Sequence, residues 1–311
     1  MTISGIIFVL RIYIAKTSKI LSFGKIMFEV TILILTYNSS WKSLKRTIES
    51  VLSQENVCFQ IVIADDGSKE DYMQKAEEYF KLNNFKFYVL VKNKENAGTV
   101  KNTISGLKQS KGRYTKLISP GDRLLKKDTL KKWVDFVDGH EWSFSDAIYC
   151  DVYENVITKK SFPQNTDIYI KGSDLDKRWN YVVVGDIALG AATIGKTDLI
   201  LNYCERLSNG GVKLAEDNIW RLMMFDGLVG QYYPEKTIIY EYGSGISTCK
   251  NSKMKVKLKE DWKNTNKIMN ASDEFQEKMV SAISATGLKK VFVRGKLKYK
   301  FFSMIKKRMA D

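Results

Sequence analysis

Histidine is all but missing from this chain. Its 311 residues hold a single one, His140, in the turn-like run Asp-Gly-His-Glu. One imidazole cannot serve both a Ser-His-Asp triad and a multi-histidine metal site, and a surface-loop histidine is the plainer reading. The four cysteines (Cys58, Cys150, Cys204, Cys249) lie far apart and match no Cys-x-x-Cys or zinc spacing. They read as reduced thiols of a cytoplasmic protein. Any metal must therefore be held largely by oxygen ligands, which points to magnesium or manganese. Proline occurs only 3 times, and no low-complexity tract or internal repeat is present. Long apolar runs are missing too. The stretch Ile6 to Leu10 is cut by Arg11 and is too short to span a bilayer. Basic residues follow it and no Ala-x-Ala site appears, so it is a poor signal peptide.

What is present is a globular composition, 44% hydrophobic and 27% charged, long enough for one large α/β domain or two smaller ones. The net charge is +15, and it is unevenly placed. Residues 1–27 carry four basic residues and no acid, and residues 250–311 carry 17 against 6. The middle, 28–249, is neutral, with 29 of each sign. A nucleic-acid reader would put its basic stripe on the folded body, so nucleic acid is not expected as a partner. Basic tails suit an anionic membrane surface instead, on the cytoplasmic side. From Leu288 to Met309, Lys and Arg interleave with Val291, Phe292, Tyr299, Phe302 and Ile305 near helical spacing, the pattern of an interfacial helix. A solvated helix packed on the body is the alternative. Residues 1–27 are either a weak amphipathic anchor or an over-extended start ahead of Met27.

The organising stretch runs from Thr31 to Ser68. Two short apolar runs, each ending abruptly in polar residues (Thr36, Tyr37, Asn38; then Asp65, Asp66, Ser68), flank a helical stripe of Leu44, Ile48, Val51 and Leu52. Runs this short and continuous suit parallel strands covered on both faces. Ligands bind such sheets outside the carboxyl ends of the strands, where both polar clusters would meet. Ser39 or Ser40 would cap the helix between them, over Trp41 to Ser53.

The βα alternation continues. The pattern predicts a helix over Lys69–Leu82, a strand over Phe87–Val91, and a helix opening in Asn96-Ala-Gly-Thr-Val-Lys-Asn102. That opening, with Gly98, is either a phosphate cradle or a plain helix start. A strand over Tyr114–Ile118 ends at Ser119-Pro-Gly-Asp122, leaving Asp122 at the same edge as Asp65. A helix over Asp128–Asp138 and a strand over Ala147–Val152 follow. Residues 155–190, irregular and aromatic, are expected to form a substrate-facing insertion. A helix over Lys196–Leu207, another opening at Ala215-Glu-Asp-Asn218 and a strand over Thr237–Glu241 complete the body. The paired carboxylates Glu216 and Asp217 are either catalytic or complements to a helix dipole. Tyr242 to Thr248 could act as a lid.

Five motifs in this order, Ile34-Leu-Thr-Tyr-Asn38, Asp65-Asp-Gly-Ser68, Asn96-x-Gly-x-x-Lys-Asn102, Ser119-Pro-Gly-Asp122 and Glu216-Asp217, resemble the family 2 glycosyltransferases of bacterial surface-polysaccharide assembly. The resemblance covers about residues 28–248 and implies a GT-A fold, an α/β plan with a mostly parallel sheet flanked by helices. Residues 249–311 would then be a basic helical tail. It further implies that Thr36, Tyr37 and Asn38 border the nucleotide. Asp65, with Asp66, would accept a hydrogen bond from a uracil ring. Gly98, Lys101 and Asn102 would lie near the ribose and diphosphate. Asp122 would bind a divalent cation (Mn2+ or Mg2+), and Asp217 would be the general base, supported by Glu216.

The chain departs from the family's fuller acidic motif, since Asp122 stands alone after Ser119, Pro120 and Gly121. It carries no Gln-x-x-Arg-Trp after the base, which points away from processive synthases. The expected activity is inverting transfer of one sugar from a nucleotide-sugar, expected to be a UDP-sugar, to a hydroxyl of a lipid-linked or growing saccharide. Its expected setting is capsule, exopolysaccharide or O-antigen synthesis at the inner face of the cell membrane. A degenerate GT-A scaffold that binds nucleotide-sugar or a partner transferase is the alternative. A sugar-nucleotide pyrophosphorylase would need a Gly-rich loop near the first strand, which Thr36-Tyr-Asn-Ser-Ser is not.

Overall fold

The computed structural model describes residues 27–70, 72–157, 162–243, 245 and 252–286. The N-terminal extension and the interfacial helix expected over 288–309 lie outside these residues, as does most of the lid expected over 242–248.

The first half alternates strictly: β1 (Phe28–Thr36), α1 (Trp41–Leu52), β2 (Phe59–Asp65), α2 (Met73–Leu82), β3 (Tyr88–Lys92), α3 (Thr99–Leu107) and β4 (Gly112–Ile118). Then come β5 (Arg123–Leu124), α4 (Thr129–Val137), β6 (Trp142–Cys150), α5 (Thr166–Lys171), α6 (Asp174–Trp179) and a π-helical turn at Asn180–Val184. A 3-10 turn at Gly190–Ala192 leads into β7 (Thr193–Lys196), α7 (Thr197–Asn209), α8 (Asn218–Phe225), β8 (Gln231–Glu241), α9 (Ser252–Lys267) and α10 (Glu274–Ser284). The eight strands form one sheet in the order β3-β2-β1-β4-β7-β6-β8-β5. The half from β3 to β4 is parallel, whereas β7 runs antiparallel to both β4 and β6.

Side-chain alternation explains why the central residues of the first two strands, Ile32–Leu35 and Ile61–Ala64, are apolar on both faces. Val30, Ile32 and Ile34 of β1 and Ile61 and Ile63 of β2 pack with Leu44, Ile48 and Val51 of α1 and with Trp133 of α4. The intervening Leu33, Leu35, Val62 and Ala64 pack on the other face with Val100 of α3, Cys204 of α7 and Met223 of α8. Both faces are buried, so no position on these strands can be polar without a partner. Ser40 caps α1 by accepting from the Ser43 amide at 3.1 Å.

Two expected boundaries are corrected. The helix expected from Lys69 begins only at Met73, whereas the helix opening in the Asn96 run begins at Thr99; the amides of Lys69, Ala97 and Gly98 go to the side chains of Asn38 and Asp66. β6 starts at Trp142 rather than near Ala147, with Trp142, Ser143, Phe144 and Ser145 all buried, so it lacks the alternation that marks a half-buried strand. β7, only four residues long, gave no pattern to read. Within the segment 155–190, expected as a substrate-facing insertion, Tyr169, Tyr181, Val182 and Val183 join the core. Met279 and Ala282 of α10 enter the same core cluster.

Candidate active site

The carboxyl ends of β1, β2 and β4 lie side by side. Thr36 is in register with Asp65, and Ile34 with both Ile63 and Ile118. The two polar clusters that follow β1 and β2 bond to each other. Asn38, with φ of 49°, donates its amide to Ser68 Oγ at 2.7 Å and accepts from the Lys69 amide at 3.0 Å. Asp65, buried at the end of β2, accepts from the Ser68 amide at 2.8 Å and from the Ser68 hydroxyl. Tyr37, by contrast, is exposed beside them. The result is a rigid polar rim with one free aromatic ring.

Asp66 turns inward. One carboxylate oxygen accepts from the Ala97 amide at 2.9 Å and Asn93 Nδ2 at 3.1 Å, and the other from the Gly98 amide at 3.0 Å. The Val100 amide goes to the Lys213 carbonyl at 3.0 Å. The backbone amides around the start of α3, which suggested a phosphate cradle, are thus largely occupied by the protein's own acceptors. Gly98 is required for a different close approach: with φ of 90°, an added Cβ would stand 2.7 Å from the Lys213 carbonyl oxygen. Asn102 is buried and donates to the Ala64 carbonyl at 2.9 Å, tying α3 to β2. Lys101 remains exposed on α3.

Asp122 sits in the turn after β4, 4% exposed. Thr47 of α1 holds that turn by donating to the Asp122 carbonyl at 2.8 Å and accepting from the Gly121 amide at 2.9 Å. The Asp122 carboxylate accepts from the Glu241 amide at 2.9 Å. Burial pushes its pKa up to about 7, opposed by that amide and by Lys116, and reinforced by Glu241. Lys116, fully buried in β4, donates to the carbonyls of Leu117 and Ala191. The Glu241 carboxylate is close enough that a Cβ on Gly121 would lie 3.0 Å from both of its oxygens.

Glu216 and Asp217 precede α8. Asp217 occupies the cap position, but its side chain makes no capping bond. Burial raises the pKa of both carboxyls, and for Glu216 the charge of Asp217 adds to it. The Asp217 side chain lies against the 190–192 turn, where a Cβ on Gly190 would be 3.0 Å from Asp217 Cβ and 3.3 Å from Oδ2. The same turn gives the Ala191 carbonyl to Lys116, so it stands between the Asp217 and Asp122 sides. Behind the pair, buried Asp261 of α9 accepts from the amides of Lys213, Leu214 and Ala215 at 3.0, 2.6 and 3.0 Å. Asp261, Glu241 and Lys116 were not singled out from the sequence. Lys116 left a trace there, a charge within the apolar run Tyr-Thr-Lys-Leu-Ile, but Asp261 left none.

Among the described residues, no group of three or more His, Cys, Asp or Glu side chains is arranged to hold a metal ion. Asp122 nevertheless suits a hard cation, because burial disfavours its charge and a cation would restore it. Among the described residues, no helix is long and apolar enough to cross a membrane.

A parallel βα half with two carboxylate sites at its strand ends, extended by a mixed half, defines a GT-A transferase fold. Solved structures agree. Staphylococcus aureus TarS residues 1–349 in complex with UDP-GlcNAc superposes with a TM-score of 0.55, at 17% identity over 82% of this chain and 71% of that one. The mannosyltransferase PcManGT from Pyrobaculum calidifontis, in complex with GDP-Man and Mn2+, gives 0.56 at 12% identity over 92% and 76%. The chain belongs to glycosyl transferase family 2, whose family model matches residues 31–193. Among curated proteins it is 30% identical over 116 residues to the poly(ribitol-phosphate) beta-N-acetylglucosaminyltransferase TarS of Staphylococcus aureus strain Mu50. That alignment covers 37% of this chain and only a fifth of TarS.

Proposed function

We propose that this glycosyltransferase moves one sugar from a UDP-sugar to a hydroxyl of a lipid-linked or growing saccharide, with inversion, in capsule, exopolysaccharide or O-antigen synthesis. The carrying observation is the Glu216–Asp217 pair, whose raised proton affinity and uncapped position suit a base rather than a helix cap. The acceptor oxygen attacks the anomeric carbon as its bond to the diphosphate breaks, and Asp217 takes the hydroxyl proton. Burial raises the affinity of Asp217 for that proton, and Glu216, itself held toward its protonated form, supports it at the start of α8. TarS in complex with UDP-GlcNAc supports the donor class.

Thr36, Tyr37 and Asn38 border the nucleotide, and Asp65, held by Ser68, accepts from the base. Gly98 and Lys101 lie on the diphosphate side. Asp66 and Asn102 act through the loop they hold, since their side chains bond to the protein itself. A Mn2+ or Mg2+ held by Asp122 would neutralise charge on the leaving diphosphate, with that diphosphate and water supplying most ligands. Residues 28–248 carry this chemistry. The basic segment beyond them would bring the enzyme to the anionic inner leaflet where the acceptor resides.

The test is a donor panel with manganese or magnesium, scored by thermal shift and donor hydrolysis, for the wild type and Asp217→Asn. Metal-dependent stabilisation by one UDP-sugar, with transfer lost but binding kept in Asp217→Asn, is expected. A wild type that binds donor yet never turns over, even with lipid acceptor, would favour the scaffold.

A further inference from the structure

Two arginines converge on the turn that carries Asp122, and the reading above gives them no role. Arg46 of α1 lies next to Thr47, which holds that turn, and Arg123 follows Asp122 in sequence. Both guanidiniums reach one oxygen of Glu154: Arg46 by a short hydrogen bond, Arg123 at 3.3 Å. Arg46 also bonds Glu241 at 2.7 Å.

The partners are unequally fixed. The arginine side chains are only 16% and 20% exposed, whereas that of Glu154 is 48% exposed. The Nε atoms of both arginines are buried and have no partner among the described residues. Glu154 reaches them from a turn gripped by Asp151, which accepts from the amides of Tyr153 and Asn155 at 2.9 Å each. There Glu154 adopts φ of 70°, a left-handed conformation that L-residues other than Asn and Asp rarely hold.

We infer that Arg46 and Arg123 form a phosphoryl-binding subsite beside Asp122, and that the Glu154 carboxylate occupies it in the free enzyme as a displaceable stand-in. Without Glu154, Arg46 keeps the Glu241 carboxylate while Arg123 loses its ion pair among the described residues, and the cluster gains a positive charge. A phosphoryl group offers more acceptor oxygens than a carboxylate and suits two guanidinium forks. An ion pair with a half-exposed carboxylate is weak in water and exchanges readily. The phosphoryl group could belong to the donor diphosphate or to a phosphate carried by the acceptor. That choice of source rests on the proposed transferase reaction, whereas anion binding itself does not.

Inorganic phosphate, UDP and glycerol phosphate are the probes, titrated calorimetrically against the full chain in metal-free buffer. Glu154→Ala should bind phosphate or glycerol phosphate about tenfold more tightly than the wild type, and Glu154→Gln should gain less. Adding Arg123→Gln to Glu154→Ala should remove the gain. A parallel gain for UDP, in competition with phosphate, assigns the subsite to the donor. A gain for glycerol phosphate that persists with UDP bound assigns it to the acceptor. If both Glu154 variants fold, by their thermal transitions, and bind every probe as weakly as the wild type, the inference is overturned. It is equally overturned if the gain survives Arg123→Gln. Because no readout needs turnover, failure of the transferase reading would leave this test intact.

Discussion

Gly98 and Lys213 touch through their backbones, although 115 residues separate them. The Lys213 carbonyl accepts from Val100 at 3.0 Å and leaves no space for a side chain at Gly98. This contact links the start of α3 to the loop that leads into Glu216 and Asp217.

Gly98→Ala should therefore act on both sides. The residue would need φ of 90° and a Cβ 2.7 Å from a carbonyl oxygen, neither of which it can accept. We expect a stability loss of about 2–4 kcal/mol in urea denaturation and reduced transfer in the folded fraction. An unchanged denaturation midpoint would show that the loop yields freely.

Asp261 holds the other end of that loop. Asp261→Ala would leave the amides of Lys213, Leu214 and Ala215 without their acceptor, at a cost of about 2–4 kcal/mol. Hydrogen exchange at residues 213–215 should accelerate, and kcat should fall more than donor KM rises. Unchanged exchange would show that Asp261 is not what orders the loop.

The pH dependence of stability follows from the raised carboxyls. Glu216 is held above its ordinary 4.5 by burial and then by Asp217. The folded state keeps a proton that the unfolded chain has already released. This contribution is full below pH 4.5 and is lost as pH rises through the folded pKa. Lys116 acts oppositely: burial pushes it from 10.5 down to about 7, so its contribution is present above pH 10.5 and lost as pH falls through 7. Glu216→Gln should flatten the decline in denaturation midpoint across about pH 5 to 8 and add about 1–2 kcal/mol at the upper end. A slope equal to that of the wild type would remove Glu216 from the account.

Cation dependence should reside in Asp122. With a nucleoside diphosphate at saturating level, about 100 times its Kd, Mn2+ should stabilise the wild type by about 2–3 kcal/mol, reversed by chelation. Asp122→Asn should lose the metal-dependent part while keeping whatever binding the Asp65 rim provides. Full metal response in Asp122→Asn would move the cation elsewhere.

The sequence by itself determined the parallel half of the fold. Continuous apolar runs at Ile32–Leu35 and Ile61–Ala64, each ending in polar residues, require burial on both faces, and only strands between helix layers provide that. It also placed Asp65, Asp122 and Glu216–Asp217 near strand or helix ends, because such boundaries are marked locally by Pro, Gly and Asp. What tertiary structure alone decided is which way the side chains turn. Asp65 and Asp66 are neighbours of identical chemistry, yet one bonds within its own rim while the other holds the start of α3, a choice set by residues about 30 positions away. Arg46, Arg123, Glu154 and Glu241 meet across up to 195 residues of chain, and Asp261 reaches back to Lys213 across 48. Local periodicity carries no record of such pairings. They exist because the sheet order, with β7 inserted antiparallel between β4 and β6, brings late segments against early strand ends.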